Sequence, residues 1–283
     1  MSIISVLTKK KSSSSGAPEE KEMGFFDHLE VLRWHIIRSV AMILVLAIVF
    51  FMAKSFTFDT VVFGPKKADF ITYKFICDIS PAVCFSPPEL KLITREMGEQ
   101  FFIHMKVAFW LGLIVSFPYI FWEFWRFIKP GLYKEEQKAV GGIVFYCSFL
   151  FFLGIAFGYY VIAPFSITWL GTYSVGTETE NSPTLASYVN YMTMFTIPTG
   201  IIFELPIVAF FLGKIGILTS SFMSVYRKHA IIVIFIVAAV VTPPDVMTQI
   251  LIGTPVWLLY EMSIFIVKAQ ERKNRAVVPV SED

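Results

Sequence analysis

Six apolar runs, at 34–53, 101–125, 140–162, 191–213, 230–241 and 250–267, set the terms on which this chain can fold. Most approach the roughly 20 residues that an α-helix needs to cross about 30 Å of hydrocarbon. Each run is continuous rather than alternating, and in lipid a continuous segment satisfies its own backbone only as a helix, so a β-barrel is excluded. Apolar residues make up 55% of the chain and thirty are phenylalanine, more than a single soluble core of this size can enclose. The expected fold class is all-α: a polytopic membrane protein with six transmembrane helices. The domain itself is placed at 24–267. Before it, residues 1–23 read as a disordered tail, since MSIISVL is too short for an export signal and KKKSSSSGAPEEKE is polar and of low complexity. Residues 268–283 read as a C-terminal tail.

Orientation follows from counting Lys and Arg by side. With the N-terminus in the cytoplasm, that face holds seventeen basic residues, while the opposite face holds six, all within 54–100 and matched there by six acids. Both termini are therefore expected on the cytoplasmic side. Cys147 falls inside the third span and reads as a small apolar packer. Cys77 and Cys84 bracket CDISPAVC on the outer side, where an oxidising compartment would let them form a structural disulfide.

Four places carry charge where lipid makes it costly. The lead-in to the first span, GFFDHLEVLRWHIIRS, puts Phe25, Leu29, Leu32 and Ile36 in one helical stripe. It is expected to lie along the interface before turning inward, either as an anchor or with Glu30 offering a carboxylate to a basic partner. In FWRFIKPGLYKEEQK, Pro130 and Gly131 end the second span, and Glu135 and Glu136 fall in the first turn of a helix that starts near Tyr133. The helix dipole alone explains acids there, and they could equally receive a guanidinium through two parallel hydrogen bonds. Glu204 stands between Pro198 and Pro206 in the fourth span. A carboxylate facing lipid costs about 2.5–3.5 kcal/mol or more, so it must face protein or water, as an interhelical hydrogen bond or as a functional site. Glu261 in the sixth span is a second candidate for the same region. The last two runs supply only ~18 Å and ~27 Å of helix, and TPPDVMTQ joins them with Asp245 and Gln249 keeping the turn polar. Such a hairpin would thin the bilayer or leave a groove.

HLEVLR at 28–33, FPYIFWEFWRFIKPGLYKEE at 117–136, FELP at 203–206 and VTPPDVMTQ at 241–249 resemble, in order and spacing, the TatC family, the multispanning subunit of the twin-arginine protein translocase. The resemblance covers about 24–267 and implies a curved, glove-like bundle whose last two helices are short. It implies no enzyme and no cofactor. It implies binding of twin-arginine signal peptides of folded cargo at the cytoplasmic face of the inner membrane of a bacterium. Recruitment of small single-span subunits of the TatA and TatB type then follows, with transport driven by the proton-motive force. The expected partners further include other copies of the chain in a receptor complex and membrane lipid, and no nucleic acid.

Carried over by motif, Glu136 resembles the acid that meets the signal peptide's arginines, with Phe127, Pro130 and Tyr133 shaping the same loop. Leu29 and Arg33 match the family's H-L-x-E-L-R pattern, but Val31 stands where that pattern has glutamate and Glu30 comes one residue earlier. That shift turns the carboxylate by about 100° on a helix. Either the local register adjusts, or Glu136 carries more of the recognition. Pro65 and Pro118 resemble prolines of the first outer loop and the second span. By the same resemblance Glu204 is the polar residue of a concave face, solvated and open to a partner's helix or the inserted signal hairpin. Asp245 and Gln249 would belong to a partner-docking edge. The rival reading is a proton-coupled small-solute carrier with Glu204 and Glu261 as its relay. No internal repeat favours it, and an intramembrane enzyme lacks a recognisable metal or nucleophile motif.

Overall fold

The computed structural model describes residues 25–79, 84–131, 142–174, 176, 181–241 and 245–277. The expected tail 1–23 and the end of the C-terminal tail lie outside the described residues, as do Tyr133 and Glu136. Helix α1 (Phe25–Met52) has 28 residues with neither glycine nor proline. Nothing in it can break the hydrogen-bond ladder, so it runs on for about 42 Å. The lead-in is therefore coaxial with the span, and the expected turn from interface to membrane does not occur.

The α1–α3 connection folds into a π-helical turn (Phe56–Val62), a 3-10 turn (Gly64–Lys66) and α2 (Ile71–Ile79) before α3 (Glu99–Ile128) crosses back. Helix α4 (Ile143–Phe157), a π-helical stretch (Gly158–Ile162) and α5 (Ala163–Thr172) form one continuous span, longer than the run read from sequence. Helices α6 (Leu185–Ile202) and α7 (Leu205–Lys214) form the next, broken at Phe203–Glu204. Pro206 sits at the start of α7, where its missing N–H has no intrahelical acceptor to lose. The short α8 (Ser220–Val225) leads into α9 (Arg227–Val241) and α10 (Val246–Val277).

Among the described residues, five spans are long and apolar enough to cross a membrane, and α9 completes the expected six as a short one. Its 15 residues reach about 22 Å. Helix α10 is not short. Its apolar part has the length read from sequence, but no glycine or proline follows until Pro279, and the helix continues through Lys268, Glu271 and Arg272 to Val277.

Close backbone approach holds the bundle. A Cβ on Gly112 of α3 would lie 2.8 Å from the Ala47 nitrogen of α1, and one on Gly154 of α4 would lie 2.8 Å from the Gly200 Cα of α6. In lipid, where apolar burial gives no drive for helix association, such contacts let dispersion act over long stretches. The α1–α3 connection is pinned by tyrosines. Tyr73 donates to the Pro65 carbonyl at 2.9 Å, Tyr159 to Val61 at 2.7 Å and Tyr188 to Val62 at 2.9 Å. Pro65 is fully buried there, and Pro118 lies inside α3. Farther along, Glu99 accepts from the Arg95 amide at 2.7 Å and the Ala186 amide at 3.1 Å, fixing the end of this connection to the start of α6.

The expected Cys77–Cys84 disulfide is present, and Cys147 is free and buried. With a separation of only 7 residues the bond restrains a small loop, so its loss should cost about 2 kcal/mol. Thermal unfolding of the full chain carrying C77S and C84S should show that decrease, with the α1–α3 connection otherwise retained.

Candidate functional site

At the end of the bundle where α1 begins and α3 ends, three aromatic rings meet. His28 stacks on Phe127 at 4.3 Å and His35 meets the same ring edge-on at 6.1 Å. These contacts fix the azimuth of α1: the stripe through His28 and His35 faces α3. Glu30 lies about 200° around from His28, on the far side, exposed and without an ion pair among the described residues. Val31 lies about 60° from His28 and is itself exposed. The unbroken helix leaves no register adjustment that would exchange them. Leu29 and Arg33 are also exposed, and Arg33 lies against the neighbouring Trp34 ring. Pro130 is in the 3-10 turn (Lys129–Gly131) that ends α3.

One turn deeper is a group that the sequence reading missed. Glu123 is 1% exposed, and its carboxylate is bonded by the His35 imidazole from α1 and by the Tyr119 hydroxyl at 2.9 Å. Arg126 is 3.9 Å away and lies over the Trp122 ring. The acid therefore joins the first two spans just behind the Phe127 cluster. The signal that singled out Glu204, an acid within an apolar run, was equally available for Glu123.

Glu204 is at the α6–α7 break, its backbone carbonyl accepting from Ile207 and Val208 at 3.0 Å. As expected, the side chain faces protein: it is beside the buried Cys147 thiol of α4. It is half-buried rather than freely solvated, and its Oε1 is buried without a hydrogen-bond partner. An unpartnered buried acceptor is costly. Toward the α1–α3 connection, Trp110, Ile114, Phe152 and Ile197 line an open, mostly apolar cavity of about 760 Å³ whose wall also includes Asp59, Lys67 and Phe70; Glu204 does not line it.

The remaining candidates are engaged within the last hairpin. Asp245 caps α10, accepting from the Thr248 amide at 2.8 Å, and Gln249 donates to the Phe235 carbonyl of α9 at 3.0 Å. Glu261 is paired with Arg227 at 3.0 Å. Arg227 stands at the basic start of α9, and no interaction joins Glu261 to Glu204 among the described residues.

This arrangement has close relatives. The family profile described as Sec-independent protein translocase protein (TatC) matches residues 27–255. The chain belongs to the TatC family. It is 37% identical over 255 residues to the Sec-independent protein translocase protein TatC of Blattabacterium sp. subsp. Periplaneta americana, covering 88% of this chain and 96% of that one. It is 44% identical over 177 residues to the protein of that name from Helicobacter pylori, covering 62% and 71%. Its fold matches a crystal structure of the twin arginine translocase receptor TatC with a TM-score of 0.67 and 30% identity, over 86% of this chain and 99% of that one. The family places the apolar spans of this chain in a membrane.

Proposed function

We propose that this chain is the multispanning receptor of a twin-arginine protein translocase, set in the cytoplasmic membrane of a bacterium with both termini in the cytoplasm. The observation that carries the reading is the likeness to a solved receptor over nearly that receptor's whole length. Orientation is supported by the basic residues gathered on one face and by a disulfide on the other, which suits an oxidising compartment. The receptor takes the signal peptide of folded cargo where α1 begins and α3 ends. It acts by binding, not catalysis, and small single-span subunits of the TatA and TatB type join it for transport driven by the proton-motive force. The unpartnered Oε1 of Glu204 suits a donor on such a helix or on the inserted signal hairpin.

Recognition of paired guanidinium groups falls chiefly to Glu136, with Phe127, Pro130 and Tyr133 shaping the loop. Glu30 contributes less, because it projects from the side of α1 away from Phe127. A synthetic twin-arginine peptide titrated onto the full chain in nanodiscs tests this. Glu136→Gln should weaken binding by about tenfold or more, the worth of a charge-assisted hydrogen-bond pair, and Glu30→Gln by less than about threefold. Replacing the peptide's arginines by lysine should weaken binding by about tenfold, since lysine cannot form the parallel pair. Unchanged binding in the Glu30→Gln, Glu136→Gln double variant would overturn the assignment.

A further inference from the structure

A second, more polar cavity, of about 820 Å³, opens where α1 ends and α3 begins, lined by Lys54, Asp59, Thr94, Gln100 and His104 among others. His104 is 8% exposed. Its ring is clamped against Phe51 at 4.2 Å and meets the edge of Phe58 at 5.3 Å, so it cannot swing away. Its Nε2 is buried and has no hydrogen-bond partner. Lys54, on the same wall, has neither an ion pair nor a hydrogen bond among the described residues. The carboxylate in the cavity is already engaged, Asp59 accepting from the Ser55 hydroxyl at 2.8 Å.

A buried imidazole nitrogen and a free ammonium sharing one cavity are two unmet polar demands. The first costs free energy unless something bonds it, and the second attracts an anion. The rim indicates where that anion comes from. Phe101, which lines the cavity, is exposed, as are Phe102 beside it in α3 and Met52 at the end of α1. Large apolar side chains on the outside of a membrane bundle, next to a lysine at the end of the first span, mark the boundary between hydrocarbon and headgroups. We infer that this cavity holds the headgroup of an anionic phospholipid of the outer leaflet, its phosphate on Lys54 and a headgroup hydroxyl donating to Nε2 of His104. The acyl chains lie along Phe101 and Phe102. Phosphatidylglycerol has both groups.

Native mass spectrometry of the full chain, released from detergent with phosphatidylglycerol added, tests the inference. The wild type should retain one phosphatidylglycerol, and Lys54→Gln and His104→Phe should each reduce its retention by about tenfold. Phosphatidylethanolamine, which lacks the hydroxyl and the net charge, should be retained no better by wild type than by either variant. Inorganic phosphate should not displace the lipid. Displacement would mean that the cavity takes free phosphate, and equal retention by wild type and both variants would mean that the cavity is no lipid site. Either result overturns the inference. Should a variant fail to fold, headgroup-photoactivatable phosphatidylglycerol on the wild type decides: crosslinks should concentrate at 54–59 and 100–104, and crosslinks scattered over the apolar faces would refute the site.

Discussion

His35→Leu is expected to destabilise the folded chain by about 2–3 kcal/mol, the cost of taking a hydrogen-bond partner away from an enclosed carboxylate. The geometry dictates the asymmetry. Glu123 is almost wholly enclosed between α1 and α3, and without the imidazole its carboxylate keeps the Tyr119 hydroxyl and an arginine 3.9 Å away. Glu123→Gln should cost less, because the amide oxygen still accepts from Tyr119 and a neutral group is cheaper to enclose. The double variant His35→Leu, Glu123→Leu should recover most of the loss, since two apolar groups of suitable size leave nothing unsatisfied. Thermal unfolding of all four proteins closes a double-mutant cycle, with a coupling of about 1–3 kcal/mol expected. A coupling near zero would show that the pair does not join the two helices. Twin-arginine peptide binding gives a second readout: Phe127 packs on His35, so His35→Leu should weaken binding in protein that is still folded.

Much of this architecture is legible in the sequence because lipid leaves the backbone few options. The apolar runs mark the spans, Pro198 and Pro206 mark the break around Glu204, and the spacing of Cys77 and Cys84 marks their bond. What sequence does not convey is the azimuth at which each helix meets its neighbour. His35 and Glu123 are 88 residues apart, and their pairing depends on how α1 rolls against α3. The same roll sends Glu30 to the far side. Glu261 illustrates the point from the opposite direction: an acid within an apolar run resembles Glu204 locally, but the short α9 starts beside it and supplies Arg227. Long connections are opaque for a related reason. The α1–α3 connection is shaped by tyrosine hydroxyls reaching carbonyls 98 and 126 residues away, contacts that carry no local pattern.

The second large effect is expected at Gly158, in the π-helical stretch after α4. A Cβ there would overlap the Phe195 carbonyl oxygen and stand 2.8 Å from the Thr196 Cα, both of them backbone of α6. Neither atom is the end of a flexible side chain, so α4 and α6 must separate for even a methyl group to enter. Overpacking a close interface costs about 1–3 kcal/mol, and more where backbone must move. Gly158→Ala should accordingly cost about 3 kcal/mol, and Gly158→Leu should leave no monodisperse folded protein. Gly176→Ala serves as the control, because nothing lies within 4 Å of a Cβ at that position, and its effect should stay within about 0.5 kcal/mol. Thermal unfolding in one detergent ranks the three. The consequence reaches the site as well, since α6 carries Thr196 and Ile197 into the wall of the 760 Å³ cavity and ends at the break that aims Glu204 toward Cys147. Pushing α6 outward widens that cavity while leaving the His28–Phe127 cluster, on other helices, in place. Under the proposed function, twin-arginine peptide binding should therefore survive Gly158→Ala in protein that is still folded. Loss of peptide binding in folded Gly158→Ala protein would show that the α4–α6 contact is coupled to the His28–Phe127 cluster rather than built separately.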